Sequence, residues 1–123
     1  MITYSLPYPP TTNGLFATIG NRRVKSKAYA AWRVEAGWCI RQQGHASVDG
    51  SVAILMQCVA PDKRRRDISN LIKAVEDMLV EMRVIEDDSH VVTVTAAWVR
   101  QGLPCLVTVY EFAQPEEAVR LVP

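Results

Sequence analysis

Apolar residues recur at two different spacings along the chain, and these spacings predict where strands and helices lie. Residues 2–6 alternate between apolar and polar side chains, and residues 51–60 form a β-branched and apolar run that ends at Pro61. Both patterns are typical of strands. Residues 91–100 and 105–112 have the same character, and the short segment QGLP between them predicts an antiparallel hairpin.

Two further segments show helical spacing. In the first, Ser26 is a suitable N-cap, and apolar residues recur at helical intervals after it. In the second, Asp67 is a suitable N-cap whose negative charge complements the helix dipole. The apolar residues after Asp67 fall on one side of this second helix, whereas Asn70, Lys73 and Asp77 fall on the opposite side.

The resulting order of elements is βαβαββ. It predicts an α+β fold in which two helices pack on one mixed sheet of about four strands. The length of 123 residues suits a single domain, and the apolar fraction of 49% is sufficient for a hydrophobic core. We therefore predict one domain over residues 1–113 and a flexible C-terminal tail over residues 114–123. Residues 15–25 are predicted to form an irregular basic loop, because prolines and the turn signal TTNG precede them.

The cysteines and the distribution of apolar residues predict the cellular compartment of the protein. Cys39, Cys58 and Cys105 lie far apart in apolar runs, without the spacing of a zinc site. We interpret them as buried thiols in a reducing cytoplasm. No apolar run approaches the ~20 residues of a membrane helix, and the N-terminus lacks the pattern of a signal peptide. We therefore expect a cytoplasmic protein with no membrane partner.

Positive charge is concentrated in two short segments, although the formal net charge is only +1. These basic segments hold eight of the 14 Lys and Arg residues, namely Arg22, Arg23, Lys25 and Lys27 in the first and Lys63, Arg64, Arg65 and Arg66 in the second. A locally positive surface of this kind predicts contact with a polyanion such as DNA. The alternatives are an exposed charged loop without a ligand and an interaction domain that binds no nucleic acid.

Carboxylates lie close to the second basic segment in the sequence. Asp67 follows it directly, and Asp87 and Asp88 lie in the loop after the second helix. If these acids meet, their hard oxygen atoms favour Mg²⁺ or Mn²⁺. Such a metal activates water and stabilises charge on a phosphate, and Lys73 is suited to neutralise the same charge.

The acids meet only under a structural condition. The strand before the second helix and the strand after the EDDS loop must lie side by side, or a second subunit must contribute. Otherwise Asp67 is only a helix cap, EDDS is a solvated turn, and Lys73 and Asp77 are an ordinary surface pair.

Four motifs, taken in order, resemble one protein family. LPYPPTTN, SKAYAAW, APDKRRRDISNLIKAVEDML and VIEDDSHV together resemble the RusA family of Holliday-junction resolvases, over about residues 2–112. These are crossover-junction endodeoxyribonucleases common in lambdoid prophages. The resemblance implies a small homodimer that uses Mg²⁺ to nick four-way DNA junctions in pairs, with Mn²⁺ as a substitute, and that functions in DNA recombination and repair.

The resemblance also implies roles for individual residues. It assigns catalysis to Asp67, Lys73 and Asp88. It assigns metal binding to both of these aspartates together with Asp87 and Ser69, and DNA binding to the two basic segments. The residues with supporting roles are Asn13, Asn70 and Asp77.

Ser69 departs from the family motif, which has a second aspartate at this position. A hydroxyl is a neutral and weaker ligand than a carboxylate, so the metal site loses one negative charge. Asp87 or Asp77 could substitute, or Ser69 could hold the metal through a water molecule. Activity is the favoured interpretation because the other catalytic residues remain. The alternative is a weakened or inactive relative that still binds DNA junctions.

Overall fold

The computed structural model describes residues 1–112. Within them the chain forms a mixed four-stranded sheet, a separate two-stranded sheet and two α-helices, so the predicted α+β fold is confirmed. The predicted tail over residues 114–123 lies outside the described residues. The elements are β1 (Ile2–Leu6), β2 (Phe16–Ile19), β3 (Arg22–Lys25), α1 (Lys27–Gln42), β4 (Val52–Val59), α2 (Ile72–Glu81), β5 (Val91–Val99) and β6 (Cys105–Glu111), with 3-10 turns at Thr12–Gly14, Ile68–Leu71 and Asp88–His90.

The main sheet has the strand order β1-β6-β4-β5. β4 and β5 run parallel to each other, whereas β6 is antiparallel to both β4 and β1. The strands before and after α2 are therefore neighbours, which is the condition that a shared acidic site requires.

The predicted hairpin between β5 and β6 is wrong. After β5 the chain crosses the end of β4, and β6 pairs on the far side of it. Burial explains this order, because Cys105, Val107 and Val109 of β6 are fully buried, whereas Val92 and Trp98 of β5 are exposed. The more apolar strand takes the central position, and the half-exposed strand takes the edge.

The predicted irregular loop at residues 15–25 is also wrong, because β2 and β3 form an antiparallel hairpin there. Ile19 pairs with Arg22 across the two-residue turn Gly20–Asn21. Gly20 has a φ of 63°, which glycine adopts without strain and which a type II′ turn requires at its first central position. The Gly-Asn dipeptide between two short runs was the sequence signal for this hairpin.

The first helix begins as predicted. Ser26 caps α1, because its hydroxyl oxygen accepts a hydrogen bond from the backbone N–H of Tyr29 at 3.1 Å. Tyr29, Trp32 and Ile40 of α1 are buried against the sheet. The core face of the helix thus follows the predicted spacing.

The second helix begins later than predicted. Asp67 precedes a 3-10 turn, and α2 itself starts at Ile72. The backbone carbonyl of Asp67 accepts a hydrogen bond from the N–H of Asn70 at 3.1 Å, while its side chain makes no capping bond. The predicted side-chain cap is therefore wrong, because the tight turn is closed by the backbone and leaves the carboxylate free.

The three cysteines are free thiols; Cys58 and Cys105 are buried, and Cys39 is partly buried. Among the helices described, none has the length and apolar character needed to cross a membrane.

Candidate functional site

A groove with several carboxylates lies between α2, the 3-10 turn before β5 and the β2–β3 hairpin. It has a volume of about 430 Å³ and is lined by Phe16, Lys25, Tyr29, Arg33, Asp77, Val80, Glu81, Asp87 and Asp88. We call it the acidic groove. Its carboxylates come from α2 on one side and from the EDDS loop on the other, so two segments that are separate in sequence meet here.

The end of α2 explains how the EDDS loop reaches this groove. The N–H groups of Val84 and Ile85 both donate to the carbonyl of Leu79, and Arg83 has a positive φ of 58°. This turn reverses the chain, and the following Asp88–His90 turn contacts α2. The loop is therefore a structured part of the groove wall.

Lys73 lies on α2 one helical turn before Asp77, which lines the acidic groove. Its ammonium donates a hydrogen bond to a carboxylate oxygen of Asp77 at 3.0 Å, so the predicted pair exists. This hydrogen bond raises the pKa of Lys73, and the negative charges of Asp77 and, to a lesser extent, Asp88 raise it further. Lys73 therefore stays charged near neutral pH and is suited to neutralise an anion but not to act as a base.

Glu76 joins this cluster, although the sequence analysis did not include it. Burial raises the pKa of Glu76, and the negative charge of Asp88 raises it further. The sequence signal was its position three residues after Lys73, since side chains at that spacing are neighbours on a helix. Lys73, Glu76, Asp77 and Asp88 thus lie within electrostatic range of one another.

Asp87 differs from its neighbour Asp88 in its local bonding. The hydroxyl of Ser89 donates a hydrogen bond to the carboxylate of Asp87. This bond lowers the pKa of Asp87, with a smaller effect from backbone N–H donors. The carboxylate of Asp87 therefore holds the turn together, whereas the charge of Asp88 is the one that acts on Lys73 and Glu76.

A second cleft lies at the other end of the motif. It has a volume of about 560 Å³ and is lined by Thr11, Asn13, Arg65, Arg66, Asp67, Asn70 and Leu71. We call it the polar cleft. Within residues 1–112 the carboxylate of Asp67 takes part in no ion pair. The cleft thus presents an unpaired carboxylate beside arginine and asparagine side chains.

The structure does not bring Asp67 and Asp88 into one cleft. Asp67 lines the polar cleft, and Asp88 lines the acidic groove. In the part of the chain that the structure describes, no three His, Cys, Asp or Glu side chains are grouped so as to hold a metal ion. The predicted strand adjacency is present, because β4 and β5 are parallel neighbours, but the two aspartates line different clefts. Ser69 is exposed in the turn between Asp67 and Lys73.

The second basic segment is partly neutralised from within. Asp62 forms ion pairs with Arg64 at 3.1 Å and with Arg66 at 2.6 Å. The hydrogen bond from Arg66 is the largest cause of a lowered pKa at Asp62, with a further contribution from the backbone of Arg64. Lys63 and Arg65 have no ion-pair partner among residues 1–112, and Arg65 lines the polar cleft.

The first basic segment has no such internal partner. Its cations lie on β3 and at the start of α1, and the first acidic residue of the chain is Glu35. The guanidinium of Arg23 lies 4.4 Å from the centroid of the Phe16 ring, and Lys25 lines the acidic groove. Arg22 and Lys27 are exposed. This hairpin therefore carries three cations, Arg22, Arg23 and Lys25, that form no ion pair within residues 1–112.

Residues 7–109 match the family model described as Endodeoxyribonuclease RusA. The chain belongs to the RusA family. The crossover junction endodeoxyribonuclease RusA of Escherichia coli (strain K12) is 36% identical over 98 residues, which cover 75% of this chain and 79% of that protein. The crossover junction endodeoxyribonuclease of Enterobacteria phage HK97 is 30% identical over 88 residues, or 71% of this chain and 73% of that protein.

A more distant RusA relative comes from Aquifex aeolicus (strain VF5). Its crossover junction endodeoxyribonuclease is 26% identical over 81 residues, which cover 65% of this chain and 64% of that protein. The predicted resemblance to the RusA family is confirmed, and with it the predicted enzyme class, an endodeoxyribonuclease.

The fold also connects two separated parts of the RusA resemblance. The hydroxyl of Thr12, in the LPYPPTTN motif, donates a hydrogen bond to the backbone carbonyl of Asn70 at 3.0 Å. Asn13 and Asn70 line the polar cleft together with Asp67. The N-terminal motif therefore builds one wall of the cleft that contains the first motif aspartate.

Proposed function

We propose that this protein is a cytoplasmic, Mg²⁺-dependent endonuclease that resolves four-way DNA junctions by paired phosphodiester hydrolysis in recombination and repair. Membership of the RusA family and the names of its relatives support the substrate class. The observation that carries the proposal is a groove lined by Asp77, Asp87 and Asp88, with Lys25 of the basic hairpin on its other wall. Lys73, which donates a hydrogen bond to Asp77, lies next to it on α2.

Carboxylates such as those of Glu76 and Asp88 are the hard oxygen ligands that a divalent cation prefers. The raised pKa of Glu76 reflects its burial and the negative charge of Asp88, and a cation between the two groups would offset both effects. Mg²⁺ is commonly bound through one or two carboxylates together with waters and phosphate oxygens, so three protein ligands are not required. When bound, Mg²⁺ or Mn²⁺ supplies a water of lowered pKa and stabilises charge on the phosphate.

Lys73 is proposed to be the fixed positive charge of the site. Its raised pKa keeps it protonated, and the hydrogen bond to Asp77 orients its ammonium group. A preoriented cation at a phosphate whose charge increases in the transition state is typically worth a factor of 10²–10³ in rate. Ser69 lies one turn earlier, where its hydroxyl is available to hold a water molecule.

The unpaired cations are proposed to bind the DNA strands on both sides of the acidic groove. Arg22, Arg23 and Lys25 approach from the hairpin and Lys27 from the start of α1. Lys63 and Arg65 approach from the second basic segment. Arg64 and Arg66 contribute less, because Asp62 already compensates their charge. Asp67 lies beside Arg65 in the polar cleft. We propose that its carboxylate faces the nucleotide next to the cut or contributes to the site of a second copy of the chain.

Paired cuts require two active sites related by symmetry. Residues 1–112 of one chain contain one acidic groove, so a second chain must supply the other. A homodimer with a two-fold axis places one groove on each of two opposing strands. This homodimer is therefore part of the proposal.

Incubation of the pure protein with a synthetic four-way junction and Mg²⁺ tests the proposal. Paired nicks on opposite strands are expected, together with far weaker cleavage of a linear duplex of the same sequence. Tight junction binding without cleavage in either Mg²⁺ or Mn²⁺ contradicts the enzyme proposal.

Ser69 supports a second candidate function, which is junction binding without cleavage. Ser69→Asp restores the motif carboxylate, and Ser69→Asn is a matched control of the same size without charge. If the natural chain is inactive through this position, Ser69→Asp cleaves and Ser69→Asn does not. Equal inactivity of both variants rejects Ser69 as the cause.

A further inference from the structure

We propose that the β2–β3 hairpin inserts its tip residue, Ile19, between base pairs at the branch point of a DNA junction and so selects junctions over linear duplex. This inference rests on the proposed function and adds a specificity-determining residue to it. None of the motifs discussed above includes Ile19.

The hairpin projects from the domain as a separate ribbon. β2 and β3 pair only with each other among the described strands, and every residue of β2 is exposed. Ile19 lies next to the turn with 68% of its surface exposed, and Phe16 at the other end of β2 is 39% exposed. An exposed β-branched side chain at the end of a cationic ribbon gains nothing from the fold itself, so its apolar surface is available to a ligand.

The root of the ribbon is held firmly. The hydroxyl of Ser26 donates a hydrogen bond to the carbonyl of Gly14 at 2.7 Å, and its backbone N–H donates to the carbonyl of Leu15 at 2.9 Å. The Phe16 ring makes an edge contact with Tyr29 of α1, with ring centroids 6.1 Å apart. The ribbon is thus fixed to α1 where it leaves the domain, and its tip has a defined direction.

The length of the ribbon matches the distance from the DNA backbone to the bases. Phe16 and Lys25 are paired at its root and line the acidic groove, whereas Ile19 and Arg22 are paired at its tip. Three residues of a strand span ~10 Å, and the major groove of DNA is ~8.5 Å deep and wide enough for a two-stranded ribbon. A phosphate in the acidic groove therefore leaves Ile19 within reach of the base pairs.

The chemistry of the tip favours wedging over base reading. Isoleucine has no hydrogen-bonding group, so it cannot distinguish base edges, whereas Ile, Leu, Phe and Met are the side chains that separate stacked base pairs in bent DNA. At a branch point the stack is already interrupted, so insertion there costs less than in a continuous duplex. The cations of the ribbon hold the phosphates while the tip enters.

A fluorescent base placed at the branch point tests the inference. A four-way junction carrying 2-aminopurine next to the branch point is titrated with protein in EDTA, so that no cleavage occurs. We expect fluorescence to rise severalfold with the natural chain and with Ile19→Leu, and Ile19→Ser to lose most of this rise. Ala17→Ser is the matched control, because it places the same hydroxyl on the same face of the ribbon two pairs nearer the root, and it should keep the rise.

The ratio of junction affinity to duplex affinity is the second readout. Ile19→Ser should lower this ratio by about tenfold without changing the thermal unfolding temperature, since the side chain is exposed. If Ile19→Ser keeps the fluorescence rise and the affinity ratio of the natural chain, the inference is overturned. It is also overturned if Ile19→Leu loses as much of the fluorescence rise as Ile19→Ser does. Cleavage without any dependence on Ile19 rejects the wedge alone, whereas an Ile19-dependent signal without cleavage rejects only the enzymatic proposal.

Discussion

The acidic groove and the polar cleft are built around the same stretch of chain, yet their charges are organised differently. In the acidic groove the charged groups act on each other, as Lys73 does with Asp77 and Asp88. In the polar cleft the carboxylate of Asp67 takes part in no ion pair within residues 1–112. In the first site the fold fixes charged groups against one another, whereas in the second it leaves a carboxylate without an ion-pair partner among residues 1–112.

The two aspartates of the EDDS loop give the largest expected contrast within the acidic groove. Asp88→Asn should lower single-turnover cleavage of a four-way junction by about 10²-fold, because it removes the charge that acts on Lys73 and Glu76. Asp87→Asn should lower it by less than about tenfold, since Ser89 already binds that carboxylate. Junction affinity in EDTA is measured as the control and should change little in both variants. A larger loss from Asp87→Asn reverses these roles.

Asp67→Asn probes the polar cleft in the same way. Cleavage should fall by about tenfold to a hundredfold while the unfolding temperature is unchanged, because the side chain makes no capping bond. Loss of a genuine side-chain cap would cost about 0.5–2 kcal/mol of stability. A clear drop in the unfolding temperature with cleavage intact would therefore identify Asp67 as a structural residue.

The two basic segments also differ in how far their charges are compensated within the chain: Asp62 pairs with the second segment, whereas the first forms no ion pair within residues 1–112. Replacing Arg22 and Lys25 by Gln should reduce the slope of log affinity against log salt by ~0.9 for each lost phosphate contact on duplex DNA. Arg64→Gln should change the slope much less, because Asp62 already compensates that cation. Equal effects on the slope would show that both segments contact DNA with unpaired charge.

Glu76→Gln should give the smallest effect, a small increase in the free energy of unfolding at neutral pH. The raised pKa of Glu76 means that the folded chain binds this proton more tightly than the unfolded chain does. Stability is therefore lost as pH rises from the unfolded pKa to the folded pKa, and the full cost of the ionised group remains above it. Without metal, Glu76→Gln should stabilise the protein at neutral pH by about 0.5 kcal/mol or less. The gain should vanish below the unfolded pKa of ~4.3. Thermal unfolding across this pH range checks it, and destabilisation at neutral pH contradicts it.

Local signals predicted the helices and main strands because each depends on nearby residues. Ser26 caps α1 as expected, and the apolar spacing of both helices matches their buried faces. The strand order was beyond such signals, because the position of β6 depends on burial of the whole sheet. The hairpin at residues 15–25 was missed for a different reason, since its exposed strands lack apolar alternation and only Gly20–Asn21 marked it.

The site was predictable in its residue types and not in its assembly. Lys73 pairs with Asp77 as the helical spacing predicted, and the charge of Asp88 also acts on Lys73, because the chain reverses after α2 and brings the EDDS loop back to it. Glu76 was overlooked because only the most polar side of the helix was considered. Asp67 was expected in the same pocket, but it precedes the 3-10 turn Ile68–Leu71 and lines the polar cleft.

Iron-mediated cleavage of the protein backbone tests most directly whether a divalent ion binds in the acidic groove. Fe²⁺ replaces Mg²⁺ in the presence of ascorbate and peroxide, and mass spectrometry locates the cuts that radicals make close to the ion. The account predicts cuts within residues 73–77 and 86–89, suppressed by excess Mg²⁺ and lost in Asp88→Asn. Cuts confined to residues 65–70, or cuts that Mg²⁺ does not suppress, would contradict it.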